Sequence, residues 1–153
     1  MAAEMTPVRA LREEDLPAVV KMIHALAAFH GDTARTDAAL LARDALGEAP
    51  WCRMLVAERA GRPVGYANFV PFLWIAHGMR AYDMQHLYVE EAQRGTGVGR
   101  ALVAAGSAMA RAAGCARIIV GTAEDNAAAQ DFYLSLGFEE RPHRGRRFML
   151  NLG

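Results

Sequence analysis

Between Glu90 and Gly106 the chain reads EEAQRGTGVGRALVAAG, with Gly95, Gly97 and Gly99 at alternate positions directly before an alanine-rich amphipathic run. Glycine at a helical position costs ~0.5–1 kcal/mol relative to alanine, so three at a helix start need a use. Anion binding is the use that physics offers. The N–H groups of a first helical turn have no partner within the helix and lie at the positive end of its dipole. Glycines let the main chain curl and let a ligand approach it, which suits a pyrophosphate. Two familiar phosphate turns do not fit. A P-loop, G-x-x-x-x-G-K-[ST], needs a Lys-Ser or Lys-Thr pair that the chain lacks. A dinucleotide turn, G-x-G-x-x-G, fails because Gly99 follows Gly97 too soon and Gly121 stands where the next strand should end in an acid.

The rest of the composition bounds the partner. A chain of 153 residues is long enough for one domain with a real core, here spanning 1–153. Seventeen basic and seventeen acidic side chains cancel, which argues against nucleic acid as a partner. Cys52 and Cys115 lie far apart and outside any C-x-x-C pattern, reading as small buried hydrophobes in a reducing cytoplasm. The opening MAAEMTPVRA has no signal-peptide pattern. NFVPFLWIAHGM, the most apolar window, is divided by Pro71 and too short to span a membrane. The five histidines show no ligand spacing, so no metal is expected.

Periodicity gives the elements. VRALR (8–12) reads as a strand, and Leu16, Val19, Val20, Ile23, Leu26 and Ala27 recur at helical spacing until FHGD breaks the helix at Gly31. TDAALLARDAL predicts a second helix, capped by Thr36 or Asp37 and closed by Gly47. RMLVAER and PVGYANFV are strand-like runs joined by the hairpin signal AGRP. WIAHGMR reads as a loop and AYDMQHLYV as another strand. In the glycine-led helix Leu102, Val103, Gly106, Met109, Ala110 and Ala113 share one face. ARIIVGTA predicts a buried strand, NAAAQDFYLSLGF a helix from Asn126 to Gly137, and RRFMLNL a closing strand. The order predicts an α/β fold with a mixed, largely antiparallel sheet and helices on both faces.

Arg94-x-x-Gly97-x-Gly99, preceded by LYV and followed by an amphipathic helix, resembles the acyl-CoA signature of the GNAT superfamily of N-acetyltransferases. NAAAQDFYLSLGFEE is similar to that family's second signature, N-x-x-A-x-x-F-Y-x-x-x-G-F. LREEDLPAVVKMI and RPVGYANF look like its opening strand and helix and its third strand, so the resemblance covers nearly the whole chain. It implies acetyl-CoA as co-substrate and transfer of acetyl to a primary amine, in a single-domain α/β fold that assembles as a homodimer. Main-chain groups of Leu87 and Val89, flanking Tyr88, would then meet the acetyl and pantetheine portions. Those of Gly95, Thr96, Gly97, Val98, Gly99 and Arg100 would cradle the pyrophosphate, with the Arg94 and Arg100 side chains near phosphates. Asn126, Ala129 and the following turn would contact the pantetheine arm, and Tyr133 would face the thioester sulfur. In the family a bulge splays the fourth and fifth strands; nothing in this sequence marks one.

The implied chemistry assigns tasks. An alkylammonium has a pKa of about 10.4, so presenting it neutral near pH 7 costs ~4–5 kcal/mol and needs a base or a water chain. Charge developing on the acetyl oxygen needs a donor, for which the N–H of Val89 or Leu87 is placed. Tyr133 is the acid, or the hydrogen-bond donor to sulfur, because a phenol near 10 is weaker than a thiol near 8.5 by ~1.5 units. For the base the resemblance points to the polyamine acetyltransferase subgroup, which usually reads Glu-Asp before its LYV-type triplet. Here those positions are Gln85 and His86. Gln85 cannot accept a proton at neutral pH, whereas His86 has a suitable pKa. Strand alternation sets His86 opposite Gln85 and Leu87, and places Asp83 with Gln85 as a third possibility. Phe29, His30 and Asp32 follow the first helix where the family positions its acceptor loop; helix termination at Gly31 with solvated neighbours explains them equally. PFLWIA reads as core plus subunit contact, and RPHRGRR as a charged hairpin or a contact for the 3′-phosphate of CoA. Two other readings stay open: a non-catalytic acyl-CoA-binding domain, and acetylation of a protein lysine or N-terminus.

Overall fold

The computed structural model describes residues 5–143 and 145–153. Arg144, one of the four arginines of RPHRGRR, and the first four residues of the opening segment lie outside these. The chain forms two compact units, one ending at Gly121 and the other running from Thr122 to Gly153.

The first unit is a five-stranded sheet in the order β1-β2-β3-β4-β5. Its strands are β1 (Val8–Ala10), β2 (Arg53–Arg59), β3 (Arg62–Trp74), β4 (Met79–Val89) and β5 (Cys115–Ile119). The first four pair antiparallel and β5 joins β4 in parallel, as a β-α-β crossover requires. Helices α1 (Leu16–Phe29) and α2 (Ala38–Ala45) precede β2, and α3 (Val98–Ala112) provides the crossover. The mixed α/β architecture expected from the element order is the one observed.

Alternation along β3 divides the core between two faces. Val64 and Tyr66 are fully buried, and Tyr66 packs with Leu16, Val19, Met22 and Ile23 of α1 and Leu41 of α2. The other face carries Gly65, Ala67 and Phe69 toward α3. A Cβ at Gly65 would meet Val98 and Leu102 side chains, and one at Gly106 would lie 2.3 Å from the Phe69 ring. Glycine at 106 thus lets α3 settle directly on that ring, which explains its place on the predicted inner face. Asp37 is the cap of α2, its carboxylate accepting from Leu40 N–H.

Four expectations are corrected. β3 runs on to Trp74, and the reversal is a short 3-10 turn at Ile75–His77 closed by Gly78. Phe72, Leu73 and Ile75 are exposed there rather than part of the core, because that end of β3 extends past the last rung with β2 at Arg53–Phe69. β5 is half-exposed, not a buried strand, since the sheet order leaves it paired on one edge only. In the second unit α4 (Ala127–Ser135) is capped as expected, Asn126 accepting from Ala129 N–H. RRFMLNL forms no strand, and Phe148, Met149, Leu150 and Leu152 are exposed. An apolar run supplies no neighbour, and a strand exists only where a neighbour pairs with it.

Candidate active site

The glycine turn owes its form to two left-handed residues, Gly95 (φ 74°) and Gly97 (φ 92°), on either side of Thr96. A side chain at either would be strained, and a Cβ added there meets nothing within 4 Å, so the space beside the turn is open to a ligand. The hydrogen bonds define the concavity. Arg94 N–H is tied to Glu91 C=O and Ala101 N–H to Gly97 C=O. Among the described residues, no main-chain N–H from Gly95 through Arg100 donates to a protein acceptor, and Gly97 caps α3 without a side-chain bond. Six consecutive amides at a helix start without a protein acceptor suit an anion. A diphosphate fits this donor set.

The strand leading into the turn is open on one side. β5 pairs with β4 only from Arg80 to Asp83, so among the described residues Met84 to Val89 have no strand neighbour on that edge. Glu90 N–H donates to Val64 C=O, toward β3. Alternation from that bond turns the main-chain groups of Leu87 and Val89 to the open edge. These are the two residues expected to meet the thioester arm. Arg94 bends back over this edge, its Nε donating to Val89 C=O at 3.0 Å and its guanidinium lying 5.6 Å from the Tyr88 ring centre. Arg94 therefore braces the strand end. Arg100 sits on the exposed side of the first turn of α3.

A bulge is present after all. Asn68 pairs with His86 and Phe69 with Met84, so β4 carries one residue more than β3 between these rungs, and Gln85 is the extra one. The consequence corrects the expected faces. Val70 pairs with Asp83, and Val70, Asn68 and Tyr66 share a face of β3, so Asp83, His86 and Tyr88 lie together on the α1 side. Leu87, opposite Ala67, turns to the α3 side, and Gln85 is exposed. Simple alternation had separated His86 from Asp83; the inserted residue unites them.

His86 is held. Its Nδ1 lies 3.0 Å from the hydroxyl of Tyr66, whose ring meets it edge-on. With Nδ1–H donating to the Tyr66 oxygen, Nε2 is left as an acceptor. Burial, and secondarily the nearby His30, pull the His86 pKa below its ordinary value, so the ring is neutral at pH 7. Burial also pushes the Tyr66 phenol well above its ordinary range. Tyr66 and Asn68 were missed in the sequence; their i, i+2 spacing on β3 was the available signal. Asn68 Oδ1 is buried without a hydrogen-bond partner. Phe29 is exposed at the end of α1, edge-on to His30, and the Asp32 carboxylate accepts from Thr33 N–H. Through His30 this loop enters the electrostatics of His86.

In the second unit Tyr133 contacts Phe132 and Phe138 at ring distances of 5.4 Å. Burial raises its phenol pKa, making it a poorer proton donor but leaving it a hydrogen-bond donor at neutral pH. Ala129 and Asn126 are committed to the α4 cap described above.

A mixed sheet with an open strand edge, leading through a turn of unpartnered amides into a helix, is an arrangement that suits a phosphate-bearing ligand with an extended arm. The profile of the acetyltransferase (GNAT) family matches residues 19–138, and the chain belongs to that family. It is similar to a thialysine N-epsilon-acetyltransferase of Bos taurus, 26% identical over 143 residues, covering 87% of this chain and 84% of that protein. An L-methionine sulfoximine/L-methionine sulfone acetyltransferase of Salmonella typhimurium is 32% identical over 134 residues, covering 83% of this chain and 75% of that protein. The fold matches that of an aminoglycoside acetyltransferase from an uncultured soil metagenomic sample, with a TM-score of 0.79 at 19% identity over 95% of this chain and 97% of that one. A Trypanosoma brucei acetyltransferase gives a TM-score of 0.74 at 23% identity, covering 95% of this chain and 100% of that one. The chain is an acetyl-CoA-dependent N-acetyltransferase.

Proposed function

We propose that residues 1–153 act as one catalytic domain that acetylates the primary amine of a small molecule by direct attack in a ternary complex. The row of unpartnered amides from Gly95 to Arg100, beside the open edge at Leu87 and Val89, is the observation that carries this reading. Acetyl-CoA supplies the activated acetyl group as a thioester. The amides hold the diphosphate, and the main-chain groups of Leu87 and Val89 orient the acyl arm. One of their N–H groups donates to the oxygen on which negative charge develops. His86 Nε2 takes the proton of the acceptor amine, in the tautomer whose Nδ1–H donates to the Tyr66 oxygen. Tyr133 is assigned to the departing sulfur from its place in the second sequence motif. Direct attack is supported by Cys52: burial raises its thiol pKa and Sγ donates to Asp44 C=O, so it is not activated as a nucleophile.

The acceptor binds near the bulge, where Asp83, His86 and the loop with Phe29 and Asp32 supply polar groups. The named relatives support an amino-acid side-chain amine or amino group as acceptor; the Gln85–His86 pair, in place of two acids, makes a polyamine the weaker fit. Free Cys52 and Cys115 support a reducing, cytoplasmic setting, and exposed Phe72, Leu73 and Ile75 support a homodimer. Neutral net charge supports neither nucleic acid nor membrane as partner, and among the described residues no helix is long and apolar enough to cross a membrane. Release of CoA thiol from acetyl-CoA across thialysine-type amino acids, methionine sulfoximine, polyamines, aminoglycosides and peptides tests the reading. Turnover is expected with small amines. Turnover with peptides alone would replace the acceptor class, and none with any amine would leave only a binding domain.

A further inference from the structure

Arg59, the last residue of β2, was singled out by no sequence motif, yet its side chain reaches the glycine turn. Nη1 donates to Gln93 Oε1 at 3.0 Å and to Thr96 Oγ1 at 2.6 Å. Nη2 donates to Thr6 Oγ1 at 2.9 Å and to the Thr96 carbonyl at 3.1 Å. Thr96 Oγ1 in turn donates to Gln93 C=O. Among the described residues no carboxylate neutralises this guanidinium. Its backbone is fixed too: Arg59 pairs with Arg62 in the last rung before the turn at Ala60 and Gly61, both with positive φ.

We propose that Arg59 is a positioning residue for the diphosphate turn, acting through Thr96. In a trans peptide the carbonyl oxygen and the next amide hydrogen point to opposite sides. Holding the Thr96 carbonyl toward β2 therefore aims the Gly97 N–H away from β2, into the anion nest. Thr96 stands between two left-handed glycines, the part of the loop with the most backbone freedom, and Arg59 removes that freedom before the ligand arrives. Its uncompensated charge adds to the field of the helix start. Because its terminal nitrogens already serve Thr96, Gln93 and Thr6, it acts without contacting phosphate.

The proposal rests on the diphosphate reading above, and the experiment separates the two. Calorimetry of CoA with the free protein is compared for wild type, Arg59→Met and Arg59→Lys, alongside KM for acetyl-pantetheine, a donor without the diphosphate. Backbone 15N relaxation of Gly95, Thr96 and Gly97 is recorded without ligand. Arg59→Met is expected to weaken CoA binding about tenfold or more, leave KM for acetyl-pantetheine within twofold, and make the turn mobile. Arg59→Lys, which keeps the charge but loses the fork, should recover only a small part of the affinity. Unchanged CoA affinity, full rescue by lysine, or equal losses for both donors would each overturn the positioning role. Should Arg59→Met not fold, the lysine variant with the same three measurements decides. If wild type itself bound CoA no better than its pantetheine arm, the diphosphate reading would be the part at fault.

Discussion

At the scale of single residues the proposed chemistry turns on two titrating groups. His86 has a pKa depressed by burial, so it is a neutral acceptor at pH 7. If it is the base, kcat/KM falls on the acid side as pH drops through that depressed value, below the ordinary imidazole pKa of about 6.5. His86→Gln should lower kcat/KM at least tenfold at pH 7.5 and abolish the acid limb; an unchanged limb would place the base elsewhere. The same shift bears on stability. The unfolded chain binds this proton more tightly, so His86 begins to oppose folding as pH falls below about 6.5, until its folded value is passed. Tyr133 has its phenol pKa raised, which favours donating a hydrogen bond to sulfur over releasing the proton. Tyr133→Phe is therefore expected to cut kcat about tenfold with CoA affinity within twofold. Steady-state kinetics with calorimetry checks this, and equal kcat would retire the role.

Among the elements, the contact of α3 with β3 gives the sharpest test. Alanine in place of Gly106 gains ~1 kcal/mol of helix propensity. Its Cβ, however, would lie 2.3 Å from a ring atom of Phe69, which is wholly buried, whereas carbon atoms pack at about 3.5–4 Å. Overpacking of this kind costs ~1–3 kcal/mol, so the clash outweighs the propensity. Urea denaturation of Gly106→Ala should show a net loss of up to ~2 kcal/mol, part of it recovered when Phe69→Leu is added. A loss that Phe69→Leu does not relieve would mean that α3 does not rest on that ring.

For the molecule as a whole, one ionic cluster ties the first strand to the sheet and to the start of α1. Arg9 makes a bidentate pair with buried Asp15 at 2.6 and 2.9 Å and also bonds Glu58 at 2.9 Å. Asp15 further accepts from Arg12 N–H at 2.8 Å. The Arg9 hydrogen bond, opposed by burial, holds the Asp15 carboxyl below its ordinary value. A depressed carboxylate stabilises the fold at pH values above about 4 and ceases to do so as pH falls through its folded pKa. Removing one partner of a buried pair costs ~3–5 kcal/mol, because the other charge is left desolvated. Asp15→Ala is thus expected to lower stability by about 3 kcal/mol at pH 7 and by less near pH 2. Chemical denaturation at both pH values is the check; equal losses would remove the ionic explanation.

The sequence by itself determined whatever depends on neighbours along the chain. Apolar spacing places α1, α3, β2 and β4, Asp37 and Asn126 cap α2 and α4, and the glycines at 95 and 97 turn the chain before α3. These follow from backbone sterics, periodicity and local hydrogen bonds, which a few adjacent residues settle. Only the tertiary structure decided what depends on a partner distant in sequence. The bulge at Gln85 exists because β3 offers one residue fewer than β4, and it alone brings His86 to the face of Asp83. Tyr66 and Arg59 acquire their meaning from residues 20 and 37 positions away, His86 and Thr96. RRFMLNL, for all its apolar character, stays unpaired among the described residues, since an apolar run cannot specify its own neighbour.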